Sequence, residues 1–269
     1  MNLLLLLESI ATSCAIAAAV PGRCRPWDPA VLRNLSLVTL AKAANLVLNC
    51  WAMEHTSLPV YNVLKRFNIV FSVVADAALR GTRFSAAVLA SVVLITVGAL
   101  VTGSGDLEFS PFGYFVALPA SVMNATYLVL AARGRDRIPD LSHVDLCFHT
   151  AFYNIFIFAP LASVELGEVS HFLGREGVPL AWTWSTLLAY ALLGALLNFA
   201  AFWCTAATSP VTTGVTGNFK AILATWIGVA WFGSSLTSVG WLGLLLSTAG
   251  GCLYSAATIA GARKQVKAA

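Results

Sequence analysis

The chain has 269 residues, 58% hydrophobic and only 10% charged, with a mean hydropathy of +0.80 and a formal net charge of +4. Soluble domains carry about 25% charged residues, so water is excluded as the solvent of this fold and the bilayer takes its place. Six cysteines without a C-x-x-C pair and four histidines without an H-E-x-x-H pattern give no metal, redox or disulfide framework, and no cofactor is expected.

A spanning helix needs about 20 mostly apolar residues. In chain order such segments fall at 3–20, 30–51, 58–79, 84–103, 110–132, 144–164, 180–206, 210–233 and 237–261. The links are short and rich in Gly, Pro and charge. The expected fold is therefore all-α and polytopic, one transmembrane domain over 1–269 with about nine helices and a short basic tail at 263–269.

Charge alternates along the links. Arg23, Arg25 and Arg33 fall in the first, Arg80 and Arg83 in the third, Arg133, Arg135 and Arg137 in the fifth, and Arg263, Lys264 and Lys267 in the tail. Glu54, Asp106, Glu108, Glu165, Glu168 and Glu176 occupy the alternate links, with a lone Arg175. The positive-inside rule puts the Arg-rich links and the C-terminus in the cytosol. That topology leaves the N-terminus in the lumen and implies that a first span is missing. A signal peptide at 3–20 is the weaker reading, because the stretch before Leu3 has no Lys or Arg and Glu8 interrupts the apolar run.

The junction Cys50-Trp51 … Thr56-Ser57-Leu58-Pro59-Val60 is echoed by Trp203-Cys204 … Thr208-Ser209-Pro210-Val211. Each opens a helix that later carries basic residues, Lys65-Arg66 in one and Lys220 in the other. The charge topology runs the two copies in opposite directions, the plan of an inverted repeat. The first repeat covers about 1–105 and the second about 110–262.

Charges deep in a bilayer cost about 2.5–3.5 kcal/mol on insertion scales. Lys220 lies roughly 16 Å into the eighth span at 1.5 Å per residue, near the midplane, and Lys42 is similarly deep in the second. Lys65 and Arg66 lie in the third. Only Glu8 and Asp76 are at hand as partners, so an excess of positive charge remains, which suits an anionic ligand. The eighth span opens with Ser209, Thr212, Thr213 and Thr216, followed by Gly217-Asn218. The sixth carries His149, Phe152, Tyr153 and Asn154. A tyrosine can stack on a base while an asparagine offers a donor and an acceptor to its edge.

At these residues the sequence resembles the nucleotide-sugar transporters of the drug/metabolite transporter superfamily, most closely the branch carrying UDP-glucuronate, UDP-N-acetylgalactosamine and UDP-N-acetylglucosamine. The resemblance rests on Leu58-Pro59-Val60-Tyr61 through Leu64-Lys65-Arg66-Phe67, on Gly98 with Gly103-Ser104-Gly105-Asp106-Leu107, on Phe152-Tyr153-Asn154, and on Cys204-Thr205 leading to Ser209, Thr212-Thr213 and Gly217-x-x-Lys220. It implies ten helices, cytosolic termini, and exchange of a cytosolic nucleotide sugar for a lumenal nucleoside monophosphate in the Golgi or endoplasmic reticulum. It further implies that Tyr153 and Asn154 read the nucleobase, that Ser209, Thr212, Thr213, Gly217 and Lys220 hold phosphate and sugar, and that Tyr61, beside Lys65 and Arg66, lines the cavity. GDP-mannose carriers favour Phe-Tyr-Asn-Asn and Gly-Ala-Leu-Asn-Lys. Here Ile155 replaces the second Asn and Lys220 sits one residue nearer the glycine, and both departures argue against guanine.

The leading reading is thus a UDP-sugar antiporter. GDP-sugar or phosphorylated-sugar carriage and a non-transporting scaffold descended from the family are the alternatives, and an enzyme is not expected. The partners are the lipid bilayer, the nucleotide sugar and the nucleoside monophosphate, with a homodimer allowed and no nucleic acid.

Overall fold

The computed structural model describes residues 2–20, 29–55, 61, 64–104, 111–138, 141–165, 167, 180–232 and 237–268. Among the described residues nine helices follow one another: α1 (Asn2–Ala19), α2 (Pro29–His55), α3 (Asn68–Arg80), α4 (Ala86–Ser104), α5 (Pro111–Arg137), α6 (His143–Val164), α7 (Leu180–Ala207), α8 (Pro210–Phe232) and α9 (Ser238–Ala268). The fold is all-α and polytopic. Seven of these helices, α1, α2, α4, α5, α6, α7 and α9, are long and apolar enough to cross a membrane. Their uncovered faces are apolar: Leu188, Leu192, Leu193, Leu196 and Leu197 of α7 and Leu242, Leu245 and Leu253 of α9 are all exposed, as lipid contact requires.

Local chemistry sets the helix ends. Ser142 and Asp145 open α6 with a capping box: the Asp145 N–H donates to Ser142 Oγ (3.2 Å) and the Ser142 N–H to the Asp145 carboxylate (3.0 Å). Gly81, at φ +70°, closes α3 in the left-handed region and donates its N–H to the Ala77 carbonyl.

The third segment differs from the uninterrupted span expected over 58–79. Residues 64–66 are helical, Phe67 is a turn, and α3 starts only at Asn68. The cause is a redirected backbone bond. Phe67 donates to the Leu64 carbonyl three residues back (3.2 Å), which breaks the four-residue ladder beside Lys65 and Arg66. Residues 56–60 and 62–63 of this segment lie outside the described residues. So do the charges of the first link up to Asp28 and nearly all of the link at 165–178. At the other end α9 continues to Ala268, so the basic tail extends the last helix.

The described chain forms two compact units, 1–47 with 130–209 and 48–129 with 210–269. Each draws on both halves of the sequence, and the boundaries fall inside α2 and α5. In the first unit α1 packs against α6 and α7. A Cβ on Gly194 of α7 would lie 2.7 Å from Glu8 Cγ, so the missing side chain makes the space that the α1 glutamate fills. In the second unit α9 packs along α4 and α8 along α3. Gly98 and Gly243 let the α4 and α9 backbones meet: a Cβ on Gly98 would fall 2.7 Å from the Gly243 carbonyl oxygen. Ile69, Val92, Ile95, Val211, Val215 and Tyr254 form the apolar core of α3, α4, α8 and α9.

Candidate functional site

In the first unit, α6 presents Tyr153 and Asn154 one after the other, and both are buried (7% and 1% exposed). The Tyr153 ring lies in a row of aromatic groups, 5.9 Å from both His149 and Phe152. Asn154 Oδ1 is enclosed and has no hydrogen-bond partner among the described residues. A buried carbonyl in that condition costs about 1–3 kcal/mol, which an N–H from a ligand would offset. Ser209, at the α7–α8 junction, is half-buried.

The same unit holds the deepest charges. Lys42 of α2 is 2% exposed, with its ammonium 5.0 Å from the centre of the Phe202 ring. Glu8 lies close enough to interact with it electrostatically, yet its carboxylate accepts a hydrogen bond from Asn198 Nδ2 of α7. The expected pairing is therefore indirect: Glu8 is held by an amide and the lysine by an aromatic face. Asp76, the other acid considered for the membrane lysines, is bonded instead to Arg80 one turn along its own helix (3.0 Å).

In the second unit Tyr61 is buried against Ala52, Leu64, Val116 and Ala117, and its hydroxyl donates to Asn49 Oδ1 (2.8 Å). Its ring supports Lys65, whose ammonium lies 4.6 Å from the centroid, a cation–π contact. Lys65 and Lys220 are both exposed side chains, near enough for their charges to act on each other. Two segments far apart in sequence thus bring two like charges within each other's influence, and among the described residues no carboxylate acts on Lys65. Arg66 turns the other way. It is 1% exposed, donates from Nη1 to Ser247 Oγ of α9 (3.2 Å), and leaves Nε without a partner among the described residues.

The hydroxyls of α8 are committed within the unit. Thr212 Oγ1 is 2.9 Å from Tyr254 Oη of α9, and Thr216 donates to the Thr212 carbonyl (3.0 Å). Thr213 is half-buried and Gly217 exposed, with open space where a Cβ would stand. The structure therefore brings Tyr61, Lys65 and Lys220 together, encloses Arg66 apart from them, and places Tyr153 and Asn154 in the other unit. Sequence reasoning missed Asn49, Tyr254, Ser247, Asn198 and Phe202, because each matters only through a helix distant in sequence. A cavity of about 290 Å³ in the first unit is lined by Arg135, Ser142, His143 and Trp203 among others, and none of these is an expected site residue.

Seven helices long and apolar enough to cross a membrane define a multi-pass membrane protein. The chain belongs to the Triose-phosphate Transporter family, which it matches over residues 2–255. It is 27% identical to the UDP-galactose/UDP-glucose transporter 7 of Arabidopsis thaliana, over 87% of this chain and 72% of that one. It is also 27% identical to the nucleotide sugar transporter SLC35D2 of Mus musculus, over 87% and 71%. The GDP-fucose transporter 1 of Dictyostelium discoideum is 23% identical over 81% of this chain and 59% of its own. A solved crystal structure aligns with 95% of this chain and 89% of its own at a TM-score of 0.63 and 17% identity, which shows a shared fold. These relatives bear out the resemblance to nucleotide-sugar transporters read from the sequence, and they are transporters rather than enzymes.

Proposed function

We propose that this protein is an antiporter that moves a UDP-sugar from the cytosol into the lumen of the Golgi apparatus or endoplasmic reticulum in exchange for a nucleoside monophosphate. The observation that carries the reading is the Lys65–Lys220 pair. Two lysines whose like charges act on each other, with no carboxylate among the described residues acting on Lys65, suit an anion that balances them. The diphosphate of a nucleotide sugar is such an anion. Taken by itself, the first unit offers in Tyr153 and in the Asn154 carbonyl, which has no partner among the described residues, a stacking face and an acceptor of the kind a nucleobase uses, and uracil N3–H is a donor of the required kind.

The relatives named for UDP-sugars support uridine, and Ile155, in place of a second amide, supports it further. Guanine is the second reading, favoured by the relative named for GDP-fucose. Proteoliposomes loaded with UMP or GMP and supplied with labelled nucleotide sugars separate the two. Uptake driven by UMP and not GMP is expected. Uptake driven by GMP alone overturns the uridine assignment, and uptake from neither overturns antiport and leaves the scaffold reading.

A further inference from the structure

The cavity of the first unit lies where three helices end. Arg135 comes from the last turn of α5, Ser142 and His143 from the start of α6, and Trp203 and Ala207 from the last turns of α7. Ring contacts join α6 to α7 here. The His143 imidazole stacks on Trp203, with centroids 6.3 Å and planes 18° apart, and meets Phe199 edge-on at 5.7 Å.

The donors of this cavity are uncommitted. Arg135 makes no hydrogen bond or ion pair among the described residues. Ser142 Oγ accepts the Asp145 N–H (3.2 Å), but its own proton has no acceptor among the described residues and remains to be donated. The Asp145 carboxylate is turned to the Ser142 N–H (3.0 Å), and among the described residues no carboxylate lines the cavity. A guanidinium and a hydroxyl around a space of about 290 Å³, with no acid opposing them, suit an anion.

The wall of the cavity continues as a lipid-facing stripe. Leu192, Leu196, Phe199 and Trp203 recur at the four- and three-residue spacings that put side chains on one helix face. Leu192, Leu196 and Trp203 are 53%, 64% and 57% exposed, so an apolar track runs along α7 into the cavity. A tryptophan at the end of an apolar span marks the level of the headgroups.

We propose that this cavity binds the headgroup of an anionic phospholipid whose acyl chains lie along the Leu192–Leu196 stripe. Arg135 offers the phosphate paired N–H donors, and the Ser142 hydroxyl adds another. The arginines of this end assign it to the cytosolic side, whose leaflet carries the anionic lipids. The inference holds whichever solute the protein carries.

The full chain is reconstituted in phosphatidylcholine vesicles to which phosphatidylserine or further phosphatidylcholine, brominated on the acyl chains, is added. Trp203 emission is isolated by difference from Trp203→Phe. Brominated phosphatidylserine is expected to quench it by half at an about tenfold lower lipid fraction than brominated phosphatidylcholine, the factor that one charge-assisted hydrogen bond supplies. Arg135→Gln should remove that preference and Arg135→Lys should restore part of it. Arg137→Gln, at an exposed position that does not line the cavity, should retain it. Equal loss in Arg135→Gln and Arg137→Gln assigns the preference to diffuse surface charge and overturns the site. So does the absence of quenching by either lipid, the result if a second copy covers the stripe. Inorganic phosphate that abolishes the preference assigns the cavity to a soluble anion and overturns the lipid. The thermal midpoint of the unmutated chain in detergent, which needs no variant to fold, should rise more with phosphatidylserine than with phosphatidylcholine, and equal shifts overturn the proposal.

Discussion

The Lys65 ammonium lies 4.6 Å from the centre of the Tyr61 ring, and the Tyr61 hydroxyl donates to Asn49. The ring is a platform for the cation, and the hydrogen bond fixes the platform. Cation–π contacts contribute about 0.5–2 kcal/mol, the larger values where water is excluded. Tyr61→Leu removes ring and bond together, and an about tenfold rise in KM for nucleotide sugar is expected, the factor that corresponds to roughly 1.4 kcal/mol. Tyr61→Phe keeps the ring and should retain most of the affinity. Equal defects in the two variants would assign Tyr61 to packing against Leu64 and Val116 instead.

Glu8 and Gly194 set a second test, of stability rather than transport. A Cβ at position 194 would stand 2.7 Å from Glu8 Cγ, and the carboxylate takes its hydrogen bond from Asn198 one turn on. Gly194→Ala is expected to destabilise the first unit by about 1–3 kcal/mol, the usual cost of overpacking. Asn198→Leu leaves a buried carboxylate without its amide donor, at a similar or larger cost. Glu8→Ala together with Gly194→Ala should recover most of the loss caused by the glycine change alone. Thermal unfolding in detergent gives all three values, and strict additivity of the two substitutions would show that Glu8 does not fill this space.

Nine apolar segments were legible because crossing a bilayer demands some 20 apolar residues in a row; each overlaps one described helix, and seven of those nine helices are long and apolar enough to span. The break at Phe67 was not. Hydropathy over 58–79 stays high whether the Phe67 N–H bonds three or four residues back, and only the backbone decides which. The charges show the same limit. Lys65 and Lys220 stood out as cations that need a reason, but their proximity depends on the register of two helices separated by most of the chain. Asp76 was read as a candidate partner for buried lysines although Arg80, four residues on, was already its nearest claim.

Topology is the next expectation, and it rests on the arginines of alternate links. The C-terminus and the link around Arg133 to Arg137 should face the cytosol, and the link at 165–178 the lumen. Single cysteines placed at these positions in a cysteine-free background, labelled in sealed microsomes with a membrane-impermeant maleimide, report the side directly. Labelling at 165–178 with protection at the C-terminus would reverse the orientation of the whole chain.

Lys220 is the residue whose loss should cost most. It is exposed on α8, three residues after a Gly217 with open space where a Cβ would stand, and its charge acts on that of Lys65. Removing it relieves a repulsion and breaks no ion pair among the described residues, so Lys220→Ala is expected to leave the thermal midpoint unchanged or slightly raised. Transport should respond in the opposite sense. Charge-assisted hydrogen bonds contribute about 1.5–3 kcal/mol, so binding of nucleotide sugar should weaken by about tenfold to a hundredfold, with exchange falling at least as far. Lys220→Arg keeps the charge but replaces a compact ammonium with a planar fork, and partial recovery is expected. The two lysines act on one diphosphate, so Lys65→Ala combined with Lys220→Ala should lose less than the sum of the separate losses. Exchange by Lys220→Ala at the unmutated rate and KM would remove the diphosphate from this site, and with it the principal argument for nucleotide-sugar binding at the Lys65–Lys220 pair.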